Sequence, residues 1–137
     1  MIIDSHVHLW LRDHLPDAMV RMYLEPLAAL EGLMDWDVQT DQVWPEYTVG
    51  PDKILEAMDA GGVDRSVVLP IDFNLVEGAR LGVEEYNAWV FESCAGAPDR
   101  LIPFIGVDPQ RGAQAVELLE RYVKRYDAKG VKLYPST

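Results

Sequence analysis

Two histidines separated by one residue lie near the amino terminus, in the segment Met1–Trp10. Apolar and polar residues alternate there, which predicts a β-strand on which residues two apart share a face. One face then carries Asp4, His6 and His8. Neutral imidazole is a common metal ligand, and two on one face can bind one ion from the same side. We therefore predict that His6 and His8 are metal ligands; the alternative is a surface strand with outward polar residues.

Asp4 and Trp10 flank this histidine pair in the sequence. We interpret Asp4 as a hydrogen-bonding partner that supports the ligands, rather than as a general base. Trp10 either lines a pocket for a planar substrate or only packs against the core. No catalytic residue can be assigned from the sequence.

The composition is that of a soluble globular domain: 137 residues, 49% hydrophobic and 26% charged. The formal net charge of -11 disfavours nucleic acid and anionic membranes as partners. Independently of this charge, we expect a small-molecule substrate. Cys94 is the only cysteine, so no internal disulfide can form, and no apolar run is long enough to span a bilayer. We predict a cytoplasmic protein.

Residues 11–49 form a long irregular segment between the first strand and the first regular helix. The segment contains Trp36 and Trp44, and aromatic residues are rare in disordered chains. Ordered insertions of this length often form lids over functional sites. We predict that the segment covers the carboxyl ends of the strands, with Trp36 or Trp44 partly buried against the site. The alternative is a structural flap over the core.

Beyond residue 50 the chain alternates regularly between helical and strand patterns. Helices are predicted from Pro51 to Gly61-Gly62, over 83–97 and over 112–126; strands are predicted over 65–69, 101–107 and 130–134. We expect the last helix to bury Val116, Leu119, Val123 and Tyr126. Such alternation is typical of parallel strands joined by right-handed helical crossovers, so the predicted fold class is α/β.

Three segments carry a resemblance to a known family: Ile3–His8, Pro98–Pro109 and Lys129–Pro135. Together they resemble the amidohydrolase superfamily, in the amidohydrolase-related branch that includes aminocarboxymuconate-semialdehyde decarboxylase. The resemblance implies a (β/α)8, or TIM, barrel with a divalent metal at the carboxyl ends of its strands. It also implies His6 and His8 as two of the ligands, with zinc as the expected metal and manganese or magnesium as alternatives.

Such a barrel needs about 250 residues, and this chain supplies about four of its eight strands. We therefore expect the amino-terminal half of a metal-dependent barrel domain. His14, the only other histidine, lies in the segment that follows the first strand, and two imidazoles rarely complete a catalytic zinc site. Four parallel strands cannot close into a barrel, so both outer strands should keep unpaired edges. We predict a homo-oligomer.

Lys132 and Tyr134 lie on the last predicted strand and would share its barrel-facing side if Val131 and Leu133 face the helices. We interpret Lys132 as the partner of an inner carboxylate or of an anionic substrate, with Tyr134 beside it. The alternative is a carboxylated lysine that bridges two metals, but the sequence offers no ligands for a second metal.

Three functional hypotheses remain open. The first is a metal-dependent hydrolase that cleaves C–N, C–O or related bonds with metal-activated water. The second is a non-oxidative decarboxylase of an aromatic or unsaturated carboxylic acid. The third is a non-catalytic half-barrel that self-associates, and we expect these 137 residues alone to be inactive.

Overall fold

The computed structural model describes residues 1–16, 48–73 and 80–134. These residues contain five strands and three α-helices, in the order β1 (Ile3–Val7), α1 (Pro51–Gly61), β2 (Arg65–Val68), α2 (Val83–Cys94), β3 (Leu101–Pro103), β4 (Ile105–Gly106), α3 (Ala113–Tyr126) and β5 (Val131–Lys132). All strand pairs are parallel, in one sheet of order β1-β2-β3 and a second of order β4-β5. The predicted α/β class with parallel strands is confirmed.

The helices begin and end where local chemistry directs. Pro51 occupies the first turn of α1, where its missing N–H costs nothing, and Gly62 ends the helix in a left-handed conformation with φ 66°. At the start of α2 the Gly82 N–H donates to the Glu85 carboxylate over 3.0 Å. Asp127 ends α3, also with a positive φ of 54°.

The predicted strand 101–107 is divided into β3 and β4. The Phe104 N–H donates to the Val68 carbonyl over 2.9 Å, which continues the ladder beyond the end of β3. On the β2 side the next donor would be the backbone N–H of residue 70. That residue is Pro70, which has no N–H, so the ladder between these two segments stops there. Beyond this point β4 pairs with β5 instead.

The prediction for the buried face of α3 was wrong in part. Val116 and Val123 are exposed by 57% and 48%, whereas the buried residues of the helix are Ala115, Leu118 and Tyr122. Two apolar stripes run side by side on this helix, and periodicity alone does not say which one packs inward. The Tyr122 hydroxyl donates to the Glu84 carbonyl of α2 over 3.0 Å, which sets the rotation of α3.

Helix α2 is shared between two hydrophobic clusters. Val90 and Cys94 belong to the first cluster, which includes Val68 of β2 and Leu101 of β3. Phe91 belongs to the second cluster, which includes Ile105 of β4 and Leu118 of α3. Burial raises the pKa of the Cys94 thiol to about 12, so the thiol is not a reactive nucleophile. None of the helices in the described ranges is long and apolar enough to cross a bilayer.

Candidate metal centre

The two histidines of the opening motif converge at the carboxyl end of β1. Their Nε2 atoms lie 3.0 Å apart, with the ring planes at 76°. The register of β1 against β2 shifts between Asp4 and Val7, and the Asp4 carboxylate accepts a hydrogen bond of 3.0 Å from the His6 backbone N–H. Irregularities of this kind re-aim side chains next to functional sites. Through the hydrogen bond described above, Asp4 contacts the backbone of His6 rather than its ring.

The carbonyl of Leu69, the first residue after β2, orients His8. The His8 Nδ1 atom lies 2.6 Å from this oxygen. Because a carbonyl only accepts, Nδ1 carries the proton and Nε2 keeps its lone pair, directed towards His6. Leu69 is held in turn, because its N–H donates to the Val7 carbonyl over 2.8 Å. One residue thus sets both the tautomer and the direction of the His8 ring.

Burial lowers the pKa of His8, and the nearby charges of His6 and Lys132 lower it further, whereas the bond to Leu69 opposes the shift. The imidazole is therefore neutral near pH 7, which is the form that binds metal. His8 differs in this respect from an exposed histidine, which would be partly protonated just below neutrality.

The spacing of the two nitrogens fits a shared divalent ion. With metal–nitrogen distances of about 2.0–2.1 Å, two ligands stand about 2.9 Å apart at a right angle and about 3.3 Å apart at the tetrahedral angle. The observed 3.0 Å lies within that range. In the part of the chain that the structure describes, no group of three or more His, Cys, Asp or Glu side chains is placed to hold an ion. His6 and His8 would therefore supply two positions of a larger set.

Trp10 forms one wall beside the histidine pair. Its ring stacks on His8 with centroids 5.3 Å apart and planes within 7°. The indole Nε1 is buried and has no hydrogen-bond partner in the described ranges.

Trp10 also pairs with Val49 through backbone bonds of 3.1 and 2.8 Å, which brings the two ends of segment 11–49 together. Within that segment, residues 17–47, with Trp36 and Trp44, lie outside the described residues.

Lys132 is the last residue of β5, and its positive charge is one cause of the lowered pKa of His8. Its ammonium is 5.8 Å from the centre of the Tyr134 ring. The side chains of Lys132 and Tyr134 therefore lie close to each other at the end of β5.

His14 is not part of this group. Its Nδ1 accepts a hydrogen bond of 3.3 Å from the Leu11 N–H, and its ring packs edge-on against Tyr86 and Trp89 at 5.7 and 4.5 Å. Partial burial lowers the pKa of His14, against the opposing charge of Asp13. His14 is therefore a packing residue at the base of segment 11–49.

A buried ion pair also lies at the carboxyl ends of the strands, and sequence analysis did not find it. Arg111 donates two hydrogen bonds to Asp72, which also accepts a bond of 2.9 Å from the Asp108 N–H. These bonds raise the pKa of the Arg111 guanidinium. Asp72 and Asp108 each lie shortly after a strand, and this position in the sequence could have indicated that they lie at the carboxyl ends of the strands. Nothing in the sequence indicates Arg111 as their partner.

Parallel strands, helical crossovers and a histidine pair at the carboxyl ends of the strands define an α/β architecture with a candidate metal site. The amidohydrolase family profile matches residues 3–137. The chain belongs to the amidohydrolase family, as the three motifs predict. A search of curated protein sequences finds no match.

Solved structures of similar fold include two of 5-carboxyvanillate decarboxylase from Novosphingobium aromaticivorans DSM 12444. One holds manganese and 3-methoxy-4-hydroxy-5-nitrobenzoic acid (TM-score 0.69, 18% identity), the other manganese and 4-hydroxy-3-methoxy-5-nitrobenzoic acid (TM-score 0.67, 19% identity). Both alignments cover 100% of this chain and 42% of the decarboxylase. A third structure is 2,6-dihydroxybenzoate decarboxylase complexed with 2,6-dihydroxybenzoate, with TM-score 0.53, 21% identity and coverages of 96% and 37%.

This chain therefore spans about two fifths of the length of the proteins that it resembles in fold. The coverage agrees with the expected set of parallel β/α units that make up part of a barrel.

Proposed function

We propose that His6 and His8 hold a divalent metal in an enzyme that decarboxylates a hydroxybenzoate-type acid without oxidation. The observation that carries the proposal is the 3.0 Å separation of their Nε2 atoms, with the His8 ring oriented by Leu69. The choice of decarboxylation is supported by three structural neighbours with TM-scores above 0.5, which represent two decarboxylases of hydroxylated aromatic acids. Manganese in the first of these favours manganese over the zinc that the sequence motifs suggested.

Two of the described residues, Trp10 and Lys132, fit such a substrate. The Trp10 ring, stacked on His8, offers a flat apolar wall to an aromatic ring. Lys132 offers a positive charge to the carboxylate, and its contribution to the lowered pKa of His8 supports a role beside the histidine pair. A bound cation would supply Lewis acidity at the substrate's oxygens.

In the reaction the bond between the ring carbon and the carboxylate breaks, carbon dioxide leaves, and the electron pair on the ring carbon takes up a proton. The chain's part in this reaction is binding and orientation: His6 and His8 hold the cation, and Lys132 and Trp10 align the acid with it.

The second candidate is a hydrolase, which the match to the amidohydrolase family favours. In that reaction the cation would supply acidity to water. The histidine pair serves both reactions equally, so the choice depends on the substrate. The third hypothesis, a non-catalytic self-associating domain, predicts neither reaction. The cytoplasmic location of the protein stays a prediction.

The metal proposal is tested by titrating the purified chain with Mn²⁺ and Zn²⁺ in a calorimeter and by measuring bound metal by mass spectrometry. We expect His6→Ala and His8→Ala each to abolish stoichiometric binding. His14→Gln is the matched control, because it removes the third histidine without touching the pair. Equal binding by His8→Ala and by the unchanged chain would overturn the metal proposal.

The reaction is tested on the chain and on the longest reading frame that contains it, each loaded with metal. Hydroxylated and methoxylated benzoates are assayed for released carbon dioxide, and lactones, esters and amides for hydrolysis. Decarboxylation supports the first candidate, hydrolysis alone supports the second, and neither reaction by the metal-loaded protein overturns both. For the acid substrate we expect Lys132→Ala to raise KM by about tenfold, the loss of one charge-assisted contact, whereas Lys132→Arg should retain affinity.

We also propose that segment 11–49 covers the site. The support is the pairing of Trp10 with Val49, which brings both ends of the segment next to His8. Replacing residues 17–47 by a short glycine-serine linker should leave metal affinity unchanged and raise KM for the acid. An unchanged KM would argue for the structural flap instead.

A further inference from the structure

Asn87 is a polar residue in the middle of the buried face of α2. It is 1% exposed, and its amide makes three hydrogen bonds. The nitrogen donates to the Val83 carbonyl over 2.7 Å and to the Gly106 carbonyl over 2.8 Å, while the oxygen accepts from the Gly106 N–H over 2.8 Å. The side chain thus takes the place of a neighbouring strand at the point where the ladder is broken by Pro70.

Gly106, held in this way, packs directly on the backbone of Pro70. A Cβ at position 106 would lie 2.1 Å from the Pro70 oxygen and 2.6 Å from its carbonyl carbon. Because both atoms are backbone, a methyl group there could fit only if the Pro70 segment moved. The close approach needs glycine, and it transmits the position of Gly106 to Pro70.

Gly106 contacts the carbonyl group and the Cβ of Pro70. The Pro70 nitrogen is bonded to the Leu69 carbonyl carbon, so a shift of Pro70 as a unit, ring and carbonyl together, also shifts the Leu69 oxygen. That oxygen is the acceptor, at 2.6 Å, for His8 Nδ1. A chain of contacts and bonds therefore runs from Asn87 through Gly106 to Pro70, and from Pro70 through the Leu69 carbonyl to the His8 ring.

We propose that Asn87 is a positioning residue for His8. By holding Gly106 against Pro70 it keeps the Leu69 carbonyl where His8 Nδ1 donates, and so directs the His8 Nε2 lone pair at His6. The consequence for metal affinity rests on the proposed function, whereas the consequence for the His8 tautomer does not.

The test uses Asn87→Ser and Gly106→Ala. A serine hydroxyl at position 87 still bonds the Val83 carbonyl of its own helix but is too short to reach Gly106. Alanine at 106 displaces Pro70 while Asn87 stays intact. The control is Val90→Ala, a fully buried truncation on the same helix, which lowers stability without touching Gly106.

Two quantities are measured: the His8 tautomer, by long-range ¹H–¹⁵N NMR, and the Mn²⁺ dissociation constant, by calorimetry. In the unchanged chain we expect the Nδ1–H tautomer. In both test variants we expect the Nε2–H form to appear and Mn²⁺ affinity to fall by about 10–100-fold. The Val90→Ala control should keep the tautomer and bind Mn²⁺ within about twofold of the unchanged chain.

An unchanged His8 tautomer in whichever test variant folds overturns the positioning role, even if stability falls. If neither folds while Val90→Ala does, the contact is structural and the proposal is also overturned. If the unchanged chain binds no Mn²⁺, the metal proposal fails on its own. The tautomer then still decides the role of Asn87.

Discussion

Asp72 and Arg111 form a bidentate ion pair, with Nε to Oδ2 at 2.5 Å and Nη2 to Oδ1 at 2.9 Å, and the Asp72 side chain is only 1% exposed. The pair joins the loop after β2 to the turn after β4. The first of these loops begins with Leu69, whose carbonyl orients His8. A single ion pair therefore ties together two of the loops at the end of the sheet where the histidine pair lies.

Removal of the Arg111 guanidinium should destabilise the fold strongly. In Arg111→Ala the buried Asp72 carboxylate loses both hydrogen bonds from the guanidinium, and breaking a buried pair in this way typically costs about 3–5 kcal/mol. Arg121→Ala is the control, because its pair with Glu84, at 2.7 Å, is half exposed and should contribute less than about 1 kcal/mol. Urea unfolding of both variants measures the two losses, and equal losses would contradict a structural role for the buried pair.

Two substitutions of Trp10 separate the contribution of its aromatic ring to stability from that of its indole N–H. Trp10→Phe keeps an aromatic face and removes a buried N–H that has no partner among the described residues. We expect its unfolding free energy to stay within about 1 kcal/mol of the unchanged chain, because the lost area is offset by the lost unpaired donor. Trp10→Ala should lose about 3–5 kcal/mol. A large loss in Trp10→Phe would instead indicate that the N–H has a partner.

Stability should fall on mild acidification, because burial lowers the pKa of both His8 and His14. The unfolded chain then binds protons at a higher pH than the folded chain. The stabilisation is fully present above the unfolded pKa of about 6.5 and is lost as the pH falls from there through the folded pKa values.

His14→Phe keeps the ring against Tyr86 and Trp89 and removes one of these two titrations. Its unfolding free energy should therefore decline less between about pH 7.5 and pH 5.5 than that of the unchanged chain, as followed by thermal melts. Parallel curves for the two proteins would show that His14 does not contribute.

Self-association is expected from the exposed apolar residues on the two outer strands. Ile3, the first residue of β1, is 46% exposed, and Leu133, the residue after β5, is 52% exposed. Unpaired strand edges with apolar side chains favour pairing with another chain. Ile3→Lys and Leu133→Lys should therefore increase the monomer fraction in sedimentation velocity at micromolar concentration. Ala57→Lys adds the same charge on the exposed side of α1 and should not. A monomer at every concentration of the unchanged chain would refute the prediction.

Local features of the chain were predictable from the sequence. The alternation in β1 brings His6 and His8 together, since they are two residues apart on one short segment. The limits of α1 were also predictable, because its start at Pro51 and its end at Gly62 depend on the backbone chemistry of those two residues. Motif order and spacing were also sufficient to indicate the family.

Tertiary structure alone decided the features that join distant parts of the chain. The tautomer of His8 depends on Leu69, 61 residues away, and the break between β3 and β4 depends on Pro70 of the neighbouring segment. The ion pair of Asp72 with Arg111 spans 39 residues. Periodicity reports which residues share a face, but a hydrogen-bond partner is fixed only when two elements pack, because the bond requires atoms within about 3 Å of each other.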